Sequence, residues 1–434
     1  MSAHAANLPP TLKGWCPGAL RPMPVGDGLL VRVHLNAGRL SLAAAATLAE
    51  TAARLGNGVV EISSRANLQI RGVSEAGLGE VQDRLDDAGL MDSNAQRDPL
   101  GAIVASPMGD LDPTAWLDVA PLAQALEARL AAADDLAELP PKFSFCLDDG
   151  GAFGLAEVRA DIRFVALAGE VFEVTLSGEQ TYAAQCAGKD LPEIGAKFAR
   201  VCLHARPPFR RMQELLAAVG AAAIFTAAGL TAFARGGSRT KATTFVREPR
   251  RSDGARLGLF ALGDAHCLAV APVLGRMQAA QLSDFASAAR AAGAADLRLT
   301  PWRSLIATRL APHHAGPLAL QAQRLGFVVD ANDPRLAIVA CAGAPACVHA
   351  AREVQSEALA LAPYFIGAAR ASLHVSGCQK GCAHAAMAPV TLIARAGGYD
   401  LIVNGRASAQ PRRRELSLAQ VRRFLASRAA AEPS

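Results

Sequence analysis

The chain has 434 residues, more than one ordinary hydrophobic core holds, so roughly two to four domains are expected. Hydrophobic residues make up 51% of the sequence and charged residues 19%, which excludes broad disorder. The net charge of +5 is too small to indicate a protein that binds nucleic acid. The sequence contains neither a long apolar run typical of a membrane span nor an N-terminal signal peptide, so we expect a cytoplasmic protein without a membrane partner.

The first predicted elements form a strand-helix-strand-strand unit. An alternating strand covers 28–33, and an Ala-rich helix follows from about 41 to 55, with Ser41 as its N-cap. Two extended segments come next, at 59–65 and 67–71. Further extended segments are predicted at 142–146, 160–165 and 171–176.

The same order of elements returns in the second half of the chain. A strand at 267–270 precedes a helix near 279–292 and extended segments within 297–306. In both copies an arginine, Arg65 or Arg303, follows a strand, and we expect the two to occupy comparable positions. Later extended segments are predicted at 372–377, 389–393 and 399–403. The sequence therefore predicts an α+β fold with pseudo-twofold duplication, each half containing a ferredoxin-like α/β sandwich unit and a larger α+β domain.

This duplication gives a predicted division of the chain into domains. The two ferredoxin-like half-domains are expected at 15–85 and 255–312, and the two larger domains at 86–234 and 313–425. The segment between the halves, 235–254, is basic and contains glycine, which is typical of an exposed linker.

Four cysteines in the last quarter of the chain form its strongest motif. Cys341 and Cys347 are spaced C-x5-C, and Cys378 and Cys382 are spaced C-x3-C. Each pair follows an apolar run that predicts a strand, so both pairs are expected on loops. Four thiolates from two nearby loops are the usual ligands of one [4Fe–4S] cluster. The alternatives are a zinc site, which favours pairs spaced C-x2-4-C, and unrelated buried or free cysteines.

The remaining cysteines are scattered, and most of them are expected to be small buried hydrophobes. They are Cys16, Cys146, Cys186, Cys202 and Cys267. Three histidines, His349, His374 and His384, lie near the paired cysteines, either as iron ligands or as loop histidines that bond to the backbone. Because the chain has no Gly-rich dinucleotide fingerprint, electrons are expected from a separate donor protein.

The cysteine motif in the second half of a duplicated α+β chain resembles that of the nitrite and sulfite reductase superfamily. Within that superfamily the chain is most similar to the precorrin-3B synthase family. The matching segments are 16–18, 22–32, 106–107 with 111–113, and 300–303, within a resemblance that covers about 26–423. The resemblance implies that the larger domain of each half is of the nitrite/sulfite reductase type.

The resemblance implies an oxidoreductase, a monooxygenase that hydroxylates precorrin-3A at C20 with O2 and forms a γ-lactone, in aerobic cobalamin biosynthesis. It also implies a [4Fe–4S] cluster, with sirohaem or a second non-haem iron as open alternatives for a further cofactor. In the reductases the last cysteine, here Cys382, is shared with the sirohaem iron. A ferredoxin or a reductase is the implied electron donor. The alternative functions are a ferredoxin-dependent sulfite or nitrite reductase, and a non-catalytic electron-transfer or tetrapyrrole-binding protein.

Basic and amide side chains are the predicted substrate ligands, because guanidinium groups bind carboxylates bidentately and a precorrin carries many carboxylates. The candidates are Arg65, Asn67, Gln69, Arg71, Lys142, Arg163 and Arg303. Lys142 matches a reductase lysine, but Ser144 stands where the reductases have a second lysine, and 101–102 where they have Arg-Asn, with Arg97 the nearest substitute. Losing two cations disfavours sulfite or nitrite as the substrate. No catalytic residue is predicted.

Overall fold

The computed structural model describes residues 17–91, 102–235 and 257–431. The sequence features outside these ranges are Cys16, Arg97, Gly101 and the linker from residue 236 onward. The strands of the described ranges form four sheets, three of five strands and one of six. No helix in these ranges is both long enough and apolar enough to span a membrane.

The first half-domain has the predicted strand-helix-strand-strand order. Its elements are β1 (Met23–Val25), β2 (Gly28–Val33), β3 (Arg39–Leu40), α1 (Leu42–Leu55), β4 (Val59–Ile62), β5 (Leu68–Val73) and α2 (Leu78–Asp87). The predicted N-cap is confirmed, because the Ser41 hydroxyl accepts a hydrogen bond of 3.0 Å from the backbone N–H of Ala44. Leu48, Ala49 and Ala52 form the buried face of α1.

The first large domain is a six-stranded mixed sheet with helices packed on it. Its elements are β6 (Ala102–Ala105), α3 (Ala120–Ala131), β7 (Ser144–Asp148), β8 (Ile162–Leu167), β9 (Val171–Leu176), β10 (Tyr182–Ala187), α4 (Leu191–His204), α5 (Met212–Val219), α6 (Ala221–Ala227) and β11 (Phe233–Ala234). The strand order is β11-β10-β9-β8-β7-β6, and β6, β7 and β8 are parallel. Helices α3 and α4 share one apolar core with these strands.

The second half-domain repeats the first. Its elements are β12 (Gly258–Leu262), β13 (Ala265–Val270), β14 (Arg276–Gln278), α7 (Ala279–Ala291), β15 (Leu297–Leu299), β16 (Leu305–Leu310) and α8 (Pro312–Arg324). The helix predicted near 279–292 is confirmed, with its last helical residue at 291.

The two half-domains exchange strands and form one core. The first sheet has the order β1-β2-β5-β4-β14, and the second has the order β12-β13-β16-β15-β3. Each sheet therefore ends in a short strand from the other half, with Arg276 opposite Glu61 and Arg39 opposite Arg298. Helices α1 and α7 pack together over a common cluster of buried apolar side chains. This reciprocal exchange gives the predicted duplication its pseudo-twofold form.

The second large domain repeats the topology of the first. Its elements are β17 (Ile338–Ala340), α9 (Gln355–Leu359), β18 (Leu373–Ser376), β19 (Ala388–Arg395), β20 (Gly398–Gly405), β21 (Arg413–Leu416) and α10 (Leu418–Ala431). The strand order is β17-β18-β19-β20-β21, with β17, β18 and β19 parallel and the rest antiparallel. The α+β class and the duplication are thus both confirmed.

The expected equivalence of Arg65 and Arg303 is wrong by one residue. In the first copy Ala66 has a φ of 56°, and in the second copy Arg303 has a φ of 60° at the same point of the turn. Matching backbone hydrogen bonds fix this alignment, Ala66 N–H to the Ser63 carbonyl and Arg303 N–H to the Thr300 carbonyl. Arg65 therefore aligns with the residue before Arg303, because the turn geometry and not the residue type sets the register.

Candidate functional site

The two cysteine pairs meet at one edge of the last sheet. Strands β17 and β18 are parallel neighbours, so their C-terminal ends lie side by side. Cys341 directly follows β17, and its backbone N–H donates to the carbonyl of Val375, in β18, at 3.2 Å. Cys378 lies two residues after β18 ends. The local sequence thus places one cysteine loop after each of two adjacent strands, as predicted.

Hydrogen bonds join the two cysteine loops directly. The N–H of Ala351 donates to the carbonyl of Gly377 at 3.1 Å. The N–H of Gly377 donates to the sulfur of Cys341 at 3.1 Å. A Cβ on Gly377 would lie 2.5 Å from the Cβ of Ala350, so only glycine permits this close approach. The loops are therefore held together before any ligand is considered.

The four thiols differ in exposure. Cys341, Cys347 and Cys378 are partly buried, and Cys382 is exposed. Burial raises the pKa of the Cys341 thiol, the hydrogen bond from Gly377 opposes that rise, and the nearby thiols of Cys347 and Cys382 add to it. A bound metal would remove this penalty, because thiolates are the metal-binding form.

The donor set of these loops fits an iron–sulfur cube. Within the described ranges, no three His, Cys, Asp or Glu side chains converge as ligands of one metal ion. In a [4Fe–4S] cluster each thiolate binds a different iron, so its ligands stand farther apart than those of a single ion. Four thiols on two hydrogen-bonded loops, with an N–H aimed at one sulfur, fit such a cluster.

The three candidate histidines lie around the cysteine loops. His374 is completely buried in β18, and its ring packs 5.7 Å from that of His384. The Cε1 atom of His374 lies 3.6 Å from the Cβ position of Gly381, directly below the second loop. Burial, with a smaller contribution from Lys380, lowers the pKa of His349. Because His374 is buried and lies against the loop that carries Cys378 and Cys382, we assign it a structural role there.

Arg71, predicted as a substrate ligand, is occupied by the protein itself. Its guanidinium donates to both oxygens of Asp27 at 2.8 and 2.9 Å and to Glu61 at 3.3 Å. It also donates to the carbonyl of Ala346, next to Cys347, at 2.9 Å. The side chain is 4% exposed. Arg71 therefore holds the Cys347 loop against the first half-domain, and its expected contact with the substrate stays a prediction.

The other candidate ligands of the first half-domain differ in how far their side chains are already hydrogen-bonded to the protein. The Gln69 side-chain oxygen accepts two hydrogen bonds from Arg32, at 2.8 and 3.2 Å, so Gln69 has an internal role. Asn67 is 1% exposed, and its Oδ1 atom accepts no hydrogen bond within the described parts of the chain. Burial, then the charges of Arg32 and Arg65, lower the pKa of His34 to about 4, so both arginines lie near this histidine. Arg65 and Asn67 remain candidate ligands.

Arg163 is also committed to its own domain. Its Nη1 atom donates to the carbonyl of Leu155 at 2.7 Å and lies 3.3 Å from the sulfur of Cys146. Its Nη2 atom donates to the carbonyls of Ala156 and Val158. The side chain therefore holds the loop that follows β7, and its expected role as a substrate ligand stays a prediction.

Lys142 lies just before β7, and Ser144 is the first residue of that strand. Lys142 is partly buried, and the structure leaves it among the candidate ligands. Ser144 is 1% exposed, and both its N–H and its hydroxyl donate to one oxygen of Asp161, at 3.0 and 3.1 Å. Ser144 is thus a structural residue of β7 and supplies no positive charge to a pocket.

Two arginines meet beside the second cysteine loop. Arg303 donates to the carbonyl of Ala383, next to Cys382, at 3.2 Å, and burial lowers its pKa. Arg370 was missed by the sequence reasoning; its Nη1 atom donates to the carbonyl of Trp302 at 2.8 Å. No local motif marks Arg370, because its position depends on contact between two distant domains.

Two cavities, of about 310 and about 400 Å3, lie along β12 and β13, away from the cysteine loops. Neither is lined by a predicted site residue, and both are shallow. The convergence of donor groups at the cysteine loops is therefore a better guide to the site than cavity size.

Comparison with known proteins supports this reading of the fold. The nitrite/sulfite reductase ferredoxin-like half domain matches at 21–88 and 262–323, one match in each half. A precorrin-3B synthase from Sinorhizobium sp is 31% identical over 95% of this chain and 87% of its own length. A sulfite reductase [ferredoxin] from Mycobacterium tuberculosis is 24% identical over 83% of this chain and 69% of its own length.

A solved structure, that of the Mycobacterium tuberculosis NirA protein, has the same fold. It superposes with a TM-score of 0.75 at 19% identity, covering 94% of this chain and 82% of that one. The half-domain matches, the shared fold and the similarity over nearly the full length agree with the resemblance seen in the sequence. The chain belongs to the precorrin-3B synthase family of oxidoreductases, within the nitrite and sulfite reductase superfamily.

Proposed function

We propose that this protein converts precorrin-3A to precorrin-3B by hydroxylating C20 and closing a γ-lactone from the ring A acetate, in aerobic cobalamin biosynthesis. One atom of O2 enters the substrate and the other leaves as water, with two electrons from a separate donor. Similarity to a precorrin-3B synthase over 95% of the chain supports this assignment. The protein is proposed to act in the cytoplasm, where thiols stay reduced.

Four cysteines are proposed to hold a [4Fe–4S] cluster in this enzyme. They are Cys341, Cys347, Cys378 and Cys382. Such a cluster supplies electrons one at a time. The N–H of Gly377 would stabilise negative charge on the Cys341 sulfur, and Arg71 would keep the Cys347 loop in place. Sirohaem or a second non-haem iron is the proposed further cofactor, and a ferredoxin or reductase the proposed donor.

The observation that carries the proposal is the position of Arg303 beside the exposed Cys382. Its guanidinium bonds to a backbone carbonyl, that of Ala383, and not to a carboxylate. Its charge can therefore pair with a carboxylate of the substrate next to the cluster loop. Arg65, Asn67 and Lys142 are proposed to bind other polar groups of the macrocycle. Gln69, Arg71 and Arg163 would act indirectly, through the loops they hold.

The alternative function is that of a sulfite or nitrite reductase, the activity named for the more distant relatives. Ser144 disfavours this alternative, because its hydroxyl donates to Asp161 at a position where the reductases have a lysine. Reduction of a small oxyanion relies on fixed cations around the developing negative charge. We therefore propose the tetrapyrrole, and not the oxyanion, as the substrate.

Isotope labelling tests this function. Anaerobically purified protein with a chemical reductant, precorrin-3A and 18O2 should give a product that carries one labelled oxygen. With methyl viologen and sulfite, sulfide formation should stay at background. Sulfide production without labelling of the precorrin would contradict the proposal and favour the reductase.

A further inference from the structure

Arg370 has an incomplete set of hydrogen bonds although it is largely buried. Its Nη1 atom donates to the carbonyl of Trp302, which fixes one side of the guanidinium. Its Nε and Nη2 atoms are buried and have no hydrogen-bond partner in the part of the chain that the structure describes. A buried N–H without an acceptor is costly and rare in native proteins. These two donors therefore point to a ligand.

The surroundings of Arg370 are positive. Burial, together with the nearby charge of Arg303, lowers the pKa of Arg370 to about 10. Neither arginine forms an ion pair within residues 17–91, 102–235 and 257–431. By contrast, the buried Arg71 pairs with Asp27 and Glu61, and the buried Arg298 pairs with Asp110 and Asp296. Within the described ranges, the two arginines that are almost fully buried are thus neutralised by carboxylates, unlike Arg370.

The geometry points to a carboxylate-binding subsite formed by Arg370 and Arg303. We propose that it binds one side-chain carboxylate of a tetrapyrrole, an inference that rests on the proposed function. The Nε and Nη2 atoms form one edge of the guanidinium, and their parallel N–H bonds match the two oxygens of a carboxylate. Arg303 would add its charge from the side of the Ala383 carbonyl.

This subsite would orient the macrocycle as well as bind it. Arg303 contacts Ala383, the neighbour of Cys382, so a carboxylate held here lies beside the second cysteine loop. The Trp302 carbonyl that fixes Arg370 belongs to the turn between β15 and β16 of the second half-domain. The subsite therefore joins the cysteine-bearing domain to that half-domain, and Arg370 acts as a binding residue without touching the reacting carbon.

Titration with uroporphyrin III, a stable tetrapyrrole polycarboxylate, tests the subsite in the cluster-loaded full chain. Arg370→Met should weaken binding about tenfold or more, and Arg370→Lys should restore only part of the affinity, because lysine lacks the two-donor edge. Arg324→Met, which removes an exposed arginine of α8, should bind as the wild type does. In the absence of porphyrin, the melting temperature of Arg370→Met should stay equal or rise, because an unpaired buried charge is lost.

The result that overturns the subsite is wild-type affinity for uroporphyrin III in Arg370→Met, or a wild type that does not bind it. A lower melting temperature with unchanged affinity would likewise show a structural arginine. These failures are separate from that of the proposed function, which fails if porphyrin binds but no labelled oxygen enters precorrin-3A.

The tetrapyrrole content of the purified protein shows whose carboxylate the subsite binds. If the protein holds a resident tetrapyrrole whose content falls in Arg370→Met, the carboxylate belongs to the cofactor; otherwise it belongs to the substrate.

Discussion

The two large domains place different side chains at the same position of the same scaffold. Ser106 directly follows β6 and Cys341 directly follows β17, and each donates its N–H to the neighbouring strand, at 3.0 and 3.2 Å. The next loop then donates an N–H back to that side chain: Asp149 to the Ser106 hydroxyl oxygen at 3.1 Å, and Gly377 to the Cys341 sulfur at 3.1 Å. The fold builds the loop pair twice, and only one copy carries thiols.

The difference lies in how the loop side chains are satisfied. In the first domain, the carboxylates of Asp112 and Asp149 accept hydrogen bonds from the backbone N–H groups of Ala152 and Gly151, at 2.5 and 2.8 Å respectively. These acidic side chains are therefore bonded to the protein backbone. In the second domain the Cys341 sulfur accepts one hydrogen bond, from Gly377, and Cys382 is exposed. The side chains at this end of the sheet, and not the fold, therefore decide whether a metal can bind.

The largest expected effect comes from removing one thiol of the second copy. Cys347→Ser should abolish cluster assembly, because a cube needs all its thiolates. Iron and acid-labile sulfide measured on anaerobically purified protein provide the readout. Cys202→Ser, at a completely buried position of the first domain, should leave the iron content unchanged. Equal iron loss in both variants would contradict the choice of ligands.

Each copy is also tied to the half-domains by a buried arginine. Arg71 donates to the Ala346 carbonyl of the cysteine copy, and Arg298 donates to the Pro107 carbonyl of the other copy, both at 2.9 Å. Arg71→Met and Arg298→Met should each destabilise the protein by about 3 kcal/mol, because carboxylates are left buried without their partner.

Iron content separates these two variants. Urea unfolding should move by a similar amount in both, but only Arg71→Met should lower the iron bound per chain. Iron loss of the same size in Arg298→Met would mean that general destabilisation, and not support of the Cys347 loop, explains the effect. Arg54→Met, which removes an exposed pair with Glu50, should change stability by less than about 0.5 kcal/mol.

A smaller, pH-dependent effect is expected in the first copy. Burial, with nearby Asp148 and Asp112, raises the pKa of Asp149 to about 7, although its backbone hydrogen bond opposes the rise. Between about pH 4 and pH 7 the unfolded chain loses this proton while the folded chain keeps it, so stability falls as pH rises. Asp149→Asn should remove that slope, so the variant gains on the wild type by about 1.4 kcal/mol for each pH unit across this window. Parallel stability curves for the two proteins would contradict the assignment.

The sequence predicted the features that local signals encode. Ser41 caps α1 as expected, because a hydroxyl before an Ala-rich helix satisfies a free N–H. The placement of Cys341 and Cys378 after strands followed from the apolar runs that precede them. The strand exchange could not be predicted, because β3 and β14 have only two and three residues and carry no periodic signal.

Long-range partners were beyond the sequence. Arg71 and Arg163 sit in or near strands, as candidate ligands should, but their acceptors lie on loops whose approach only the folded chain defines. Arg370 escaped notice for the same reason, since Trp302 is far away in sequence. The offset between Arg65 and Arg303 arose because the two copies align on the turn residue with positive φ. That residue is Ala66 in the first copy and Arg303 in the second.

The metal content of anaerobically purified protein tests the central claim most directly. Iron and acid-labile sulfide should each be present at about four per chain, and the dithionite-reduced protein should give the electron paramagnetic resonance signal of a reduced [4Fe–4S] cluster. Zinc in place of iron, or no metal at all in protein kept from oxygen, would contradict the assignment of the four cysteines.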